Sequence, residues 1–105
     1  MAAVYSKRLV EAAINATSTV PYTVPANKVT VIRSISVLLT VSGITATVLR
    51  NGGAAIMFRL TSSAANQYVT QEGRWVLNTG EGLEIAGTGA GSIQFNINGY
   101  ELDAL

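Results

Sequence analysis

The chain has 105 residues, 49% of them apolar and only 12% charged, with a formal net charge of +1, no cysteine and no histidine. That length suits a single domain. The missing residue types exclude a disulfide framework and thiolate chemistry and remove the commonest general base and metal ligand, while the near-neutral charge gives no electrostatic case for nucleic acid.

In chain order, Met1 to Tyr5 is apolar, Lys7 and Arg8 interrupt it, and no long apolar run follows, so no signal peptide is read. Residues 1–17 read as an N-terminal arm or first strand, with the strand over 4–12. Val10, Ala13 and Ile14 also suit a helical turn, so a short helix or flexible arm over 2–14 stands as the alternative. Residues 18–105 form the β domain. A short strand, 18–24, ends at Pro25-Ala26-Asn27-Lys28, where Pro25 presets a negative φ and Asn27 tolerates a left-handed one.

A long strand follows over 28–41. Val29, Val31, Ile35, Val37, Leu39 and Val41 share one parity, with Ile32 and Leu38 as exceptions. Arg33 falls on the apolar parity, which predicts a bulge or an edge there. Ser42-Gly43 separates this strand from the next, 44–50, and Asn51-Gly52-Gly53 is a hairpin signal because a type I′ turn needs positive φ twice. In 54–61, Ile56, Phe58 and Leu60 alternate with Met57, Arg59 and Thr61. After a small-residue loop, 62–66, come a strand over 67–72, a short ninth piece over 74–77, the turn 78–82, a strand over 82–86 and the turn 87–91. In the last strand, 92–102, Ile93, Phe95 and Ile97 alternate with Gln94, Asn96 and Asn98. About eight strands separated by turn signals define an all-β antiparallel β-sandwich, jelly-roll-like. Val31, Ile35, Val37, Phe58, Leu60, Leu83, Ile85, Phe95 and Ile97 are its expected core.

No catalytic constellation emerges. Gly87-Thr88-Gly89-Ala90-Gly91 precedes a strand, not the helix that a phosphate loop needs. Glu72, Glu81 and Glu84 read as solvated carboxylates, not a glycosidase pair. Serine or threonine nucleophiles lack a histidine base, and Lys7 and Lys28 occupy polar positions. Asn15-Ala16-Thr17 matches a glycosylation sequon by chance. Trp75, the single tryptophan, serves either as a core anchor or as a stacking surface for a sugar or partner. No enzyme activity, cofactor or metal is expected. The longest aliphatic run, Val37-Leu38-Leu39, falls far short of the roughly 20 residues a membrane helix needs, so no membrane partner is expected either.

The charge distribution is uneven. Residues 1–70 hold six cations against Glu11, and residues 71–105 hold Arg74 against five acids. Such a split either pairs neighbouring copies or cancels within one fold. With charge well below the roughly 25% of an ordinary domain, part of the surface is expected to face other subunits. Lys7, Arg8, Arg50, Arg59, Arg74 and Trp75 are the candidate interface residues.

Three segments carry a resemblance. Tyr22-Thr23-Val24-Pro25-Ala26-Asn27-Lys28, leading to Arg33-Ser34-Ile35, is one; Glu72-Gly73-Arg74-Trp75-Val76-Leu77-Asn78-Thr79-Gly80-Glu81-Gly82-Leu83 is another; Ile97-Asn98-Gly99-Tyr100-Glu101-Leu102 is the third. Together they resemble small β-sandwich structural (decoration or minor virion) proteins of tailed bacteriophages, with Asn27 where glycine is usual and Thr79 where proline is usual. The resemblance implies a non-enzymatic virion protein made in the host cytoplasm. The leading expectation is a capsid decoration (cement) subunit, bound to copies of itself in a ring or trimer and to the major capsid protein. A tail or baseplate component is the alternative in the same class. A carbohydrate-binding module for host-surface attachment, using Trp75 and the glycine turns, is the alternative from another class. Residues 1–8 are expected to lie as an arm on a neighbouring chain, with Lys7 and Arg8 facing an acidic surface.

Overall fold

A computed structural model describes residues 7–51 and 55–104. It contains eight strands: β1 (Lys7–Ile14), β2 (Ser18–Thr23), β3 (Lys28–Leu39), β4 (Thr45–Asn51), β5 (Ala55–Thr61), β6 (Gln67–Leu77), β7 (Gly82–Thr88) and β8 (Ile93–Asp103). They form two four-stranded sheets, ordered β1-β8-β3-β6 and β2-β7-β4-β5. Every ladder is antiparallel. The chain pairs as one long nested hairpin, β4 with β5, β3 with β6, β2 with β7 and β1 with β8. That hairpin folds over into two sheets through the further pairs β3·β8 and β4·β7. This is the expected jelly-roll-like sandwich.

Several expectations change in detail. Residues 7–14 are a strand, not a helical turn, because Val10, Ala12 and Ile14 sit opposite Ile97, Phe95 and Ile93 of β8. The separate piece over 74–77 is the end of β6, which continues through Gly73. Residues 1–6, the greater part of the expected arm, lie outside the described residues, whereas Lys7 and Arg8 are the first two residues of β1, opposite Gly99 and Asn98. Asn27 does take a positive φ, 62°, in a turn closed by the Lys28 N–H donating to the Pro25 carbonyl. Ser62, read as loop, is buried and clamps the bend before β4: its hydroxyl donates to the Val41 carbonyl at 2.6 Å and accepts from the Ile44 N–H at 3.2 Å.

Arg33 is a bulge. The register slips between Ile32 and Ser34 against both β6 and β8. An extra residue reverses which parity faces inward, so Ile32 joins the core upstream and Ile35, Val37 and Leu39 join it downstream. Ile32 is thereby no exception to the alternation. β1 slips one residue along β8, skipping Leu9 between the partners of Asn98 and Ile97. Between them lies Gly99, where a Cβ would stand 2.1 Å from the Val31 carbonyl oxygen and 3.1 Å from the Ile32 Cα. Glycine is required there by the approach of neighbouring backbone.

The core between the sheets comprises, among others, Ile35, Val37, Phe95 and Ile97 from one sheet and Val48, Phe58, Leu83 and Ile85 from the other. Two of the expected core residues lie outside this core: Leu60, which is half-buried, and Val31. Leu60 departs for a topological reason. It sits on β5, an edge strand with a neighbour on one side only. Ile56 on the same strand is 57% exposed. Val31 is buried, but on the opposite side of β3 from Ile32.

Two stability measurements check this packing. Phe95, 1% exposed, should cost roughly 3–5 kcal/mol when replaced by alanine; a loss under about 1 kcal/mol in urea unfolding would place it outside the core. Gly99→Ala should destabilise by about 1–3 kcal/mol or more through overpacking, although it adds a single methyl group.

Candidate functional site

Three surface features follow from this frame. The first lies at the end of the sandwich where β2, β3 and β8 meet. The Tyr22 hydroxyl on β2 reaches across the sheets, donating to Glu101 Oε2 at 2.5 Å and lying 2.6 Å from Thr30 Oγ1. Lys7 Nζ donates to the other Glu101 oxygen at 2.7 Å. Burial, reinforced by the hydrogen bond to Glu101, pushes the Tyr22 phenol up to about 12. The Lys7 ammonium and then the Tyr22 hydroxyl hold the Glu101 carboxyl below its ordinary value. Beside them, Lys28 pairs with Asp103 at 2.5 Å, which lowers the Asp103 carboxyl and raises the Lys28 ammonium. This cluster stitches the two sheets together, and every polar atom in it named here already has a partner.

The second feature is a cleft of about 280 Å³ between the edges β5 and β6, lined by Arg50, Ile56, Met57, Arg74, Trp75 and Val76 among others. It gathers three of the six candidate interface residues. Arg50 lies on the inward parity of β4, opposite Leu83, with its Nε 3.5 Å from Glu81 Oε2 but buried without a hydrogen-bond partner. Glu81 is half-buried and accepts from the Asn78 N–H at 2.6 Å, so it is not the solvated carboxylate the turn suggested. Trp75 is half-buried, packs against the core, and lies over Gly73, where a Cβ would meet the ring at 2.8 Å. The Gly87–Gly91 turn is elsewhere, against Val41 and Ile44, so Trp75 and that turn do not form one site.

The remaining candidates are dispersed. Arg59 is exposed on β5. Lys7 and Arg8, on the far edge strand, are joined to Glu101 and Glu11 of their own chain. Of the four ion pairs among the described residues, three link the basic first part of the chain to its acidic last part. The uneven charge therefore cancels largely within the fold.

The third feature is the outward side of the β1-β8-β3-β6 sheet, where Glu11, Ser36, Leu38, Tyr68, Gln94 and Asn96 line a shallow groove of about 310 Å³. The pattern that marks it in the sequence is the amide at three successive outward positions of β8, Gln94, Asn96 and Asn98, none of them charged or aromatic. Among the described residues no group of three or more acids could hold a metal ion, and no helix is long and apolar enough to cross a membrane.

No protein-family model matches the chain, and no curated protein matches it. Solved structures do. A protein from Bacillus endospore appendages, which form a family of disulfide-linked pili, superposes with a TM-score of 0.52 at 11% identity, covering 97% of this chain and 89% of that one. Two structures of a pentameric capsid protein isolated from metagenomic phage sequences give TM-scores of 0.49 and 0.48 at 19% identity, covering 86% of this chain. The chain spans 58% and 60% of the length of those two. At such identities the likeness extends to the fold: an all-β antiparallel sandwich. The disulfide linkage of the pili has no counterpart here, since this chain has no cysteine.

The Tyr22 cluster yields a titration test. In an alkaline absorbance titration one phenol should resist ionisation until about pH 12, and Tyr22→Phe should remove that step. On the acid side, the folded Glu101 carboxyl lies below its ordinary value of 4.5, so the unfolded chain takes up this proton first. Its stabilisation is complete above that value and fades as pH falls through the folded one. Glu101→Gln should flatten this part of the stability profile; an unchanged profile would show that the cluster contributes nothing.

Proposed function

We propose that this chain is a non-enzymatic structural subunit of a virion, acting as a capsid decoration protein. The observation that carries the reading is where apolar surface is left open. Six large apolar side chains are exposed among the described residues, and four stand on edge strands: Val20 on β2, Ile56 on β5, Tyr68 and Val76 on β6. Monomeric sandwiches guard open edges with lysine, proline or charge. Here β1 is guarded by Lys7 and Arg8, whereas the β5–β6 side presents Ile56 and Val76 around the arginine-lined cleft. Apolar side chains ringed by arginine suit a protein interface. The proposed neighbours are further copies in a ring or trimer and the major capsid protein. The resemblance of the segments around Tyr22, Arg74 and Tyr100 to virion sandwiches supports the same reading. Residues 1–6 are proposed to reach a neighbouring chain. Lys7 and Arg8 belong to β1, so the truncation that isolates this contact stops at residue 6.

Quantitative mass spectrometry of purified phage particles tests the proposal. Decoration of a symmetric shell requires on the order of hundreds of copies. A few to tens would move the subunit to the tail or baseplate, and absence from the particle would overturn a virion role altogether.

A further inference from the structure

The outward side of the β1-β8-β3-β6 sheet is built unlike the rest of the surface. On β8, the inward Ile93, Phe95 and Ile97 leave Gln94, Asn96 and Asn98 outward, three carboxamides in line along an interior strand. Register extends this line sideways. Asn96 lies opposite Glu11 on β1 and Ser36 on β3, and Ser36 lies opposite Thr70 on β6. The Ser36 and Thr70 hydroxyls are 3.0 Å apart. One row along, Gln94 faces Leu38, and Leu38 faces Tyr68.

Two observations in this groove point to a ligand. Tyr68 is 65% exposed, the highest value among the exposed large apolar side chains. The carboxamides of Gln94 and Asn96 and the Ser36 hydroxyl line the same groove, and the fold gives Asn96 Oδ1, which is buried, no hydrogen-bond partner. We propose that this groove binds a neutral carbohydrate. A sugar presents C–H faces that stack on an aromatic ring and hydroxyls that both donate and accept, as carboxamides and serine or threonine hydroxyls also do. The row is nearly free of charge, because its single acid, Glu11, is joined to Arg8. That composition selects an uncharged polyol over an anionic or cationic ligand. The site lies apart from Trp75 and goes beyond the structural role proposed above, since it holds for a head subunit or a tail subunit alike.

The test is a microarray of neutral oligosaccharides built from glucose, galactose, mannose and N-acetylhexosamines, followed by an NMR titration of the strongest binder. Tyr68→Ala and Asn96→Ala should each weaken binding about tenfold or more, a difference the titration resolves readily. Asn96→Ala should leave Tm unchanged or raise it, because it deletes an unpaired buried acceptor; a purely structural asparagine would lower Tm. Circular dichroism serves as the folding control. The proposal is overturned if no neutral glycan binds at millimolar concentration, if binding survives both substitutions, or if it is lost with Trp75→Ala instead. It is equally overturned if the intact protein self-associates in sedimentation, Tyr68→Ala abolishes that association, and no sugar binds, for the face would then be a contact between copies.

Discussion

The arrangement of this sandwich depends on one crowded point, the passage of β8 between two bulged neighbours at Gly99. β3 carries an extra residue, Arg33, between the partners of Gly99 and Asn98, and β1 carries one, Leu9, between the partners of Asn98 and Ile97. A side chain at this point would overlap the Val31 carbonyl, so the two slips are tolerated only because β8 has none. Their effect is to reverse the inward parity of β1 and β3, while β8 alternates without a break. Below the bulge Thr30 and Ile32 face inward, and Thr30 can meet Tyr22 from the opposite sheet. Above it Ile35, Val37 and Leu39 take over the core, and Ser36 and Leu38 between them join the outward side. A bulge also sharpens local twist, and here it separates the tightly paired charged end of the molecule from the amide-lined face.

The pairing of charges bears directly on how such a surface meets its neighbours. Lys7 with Glu101, Lys28 with Asp103 and Arg50 with Glu81 join residues far apart in sequence. The exposed one of them, Lys28 with Asp103, adds little stability, but together the pairs leave few charges to repel or select a partner. Association then rests on shape, apolar contact and neutral hydrogen bonding, which long-range fields steer weakly.

Much of this was legible in the sequence because the signals were local. Period-two alternation in β3, β5 and β8 and the Pro25–Lys28 turn placed the strands, and the off-pattern Arg33 marked the bulge. What escaped had causes outside the local pattern. Leu60 keeps the alternation of a core residue, but only three-dimensional pairing makes β5 an edge. Gly73 resembled a break between two strands, yet β6 runs through it because the Trp75 ring needs the space beside it. Charge alone does not mark an interface residue. Arg50, Arg74 and Trp75 converge on one cleft, while Lys7 and Arg8 are claimed by partners that lie on β8 and three residues along β1. The outward amides were invisible for a different reason: alternation with polar residues looks the same whether those residues meet water or a ligand.

The nested pairing also imposes an order in time. The β4·β5 pair closes a short connection, β3·β6 encloses it, β2·β7 encloses that, and β1·β8 lies outermost. Loop-closure entropy favours the innermost pair first and the β1·β8 pair, with the longest intervening chain, last. Until then β8, an interior strand in the finished molecule, is an open edge offering three carboxamides on one side and Ile93, Phe95 and Ile97 on the other. The β1 strand of a nearby copy carries the same sequence as the chain's own, so closing β8 from within the chain is also what keeps that edge from a second copy.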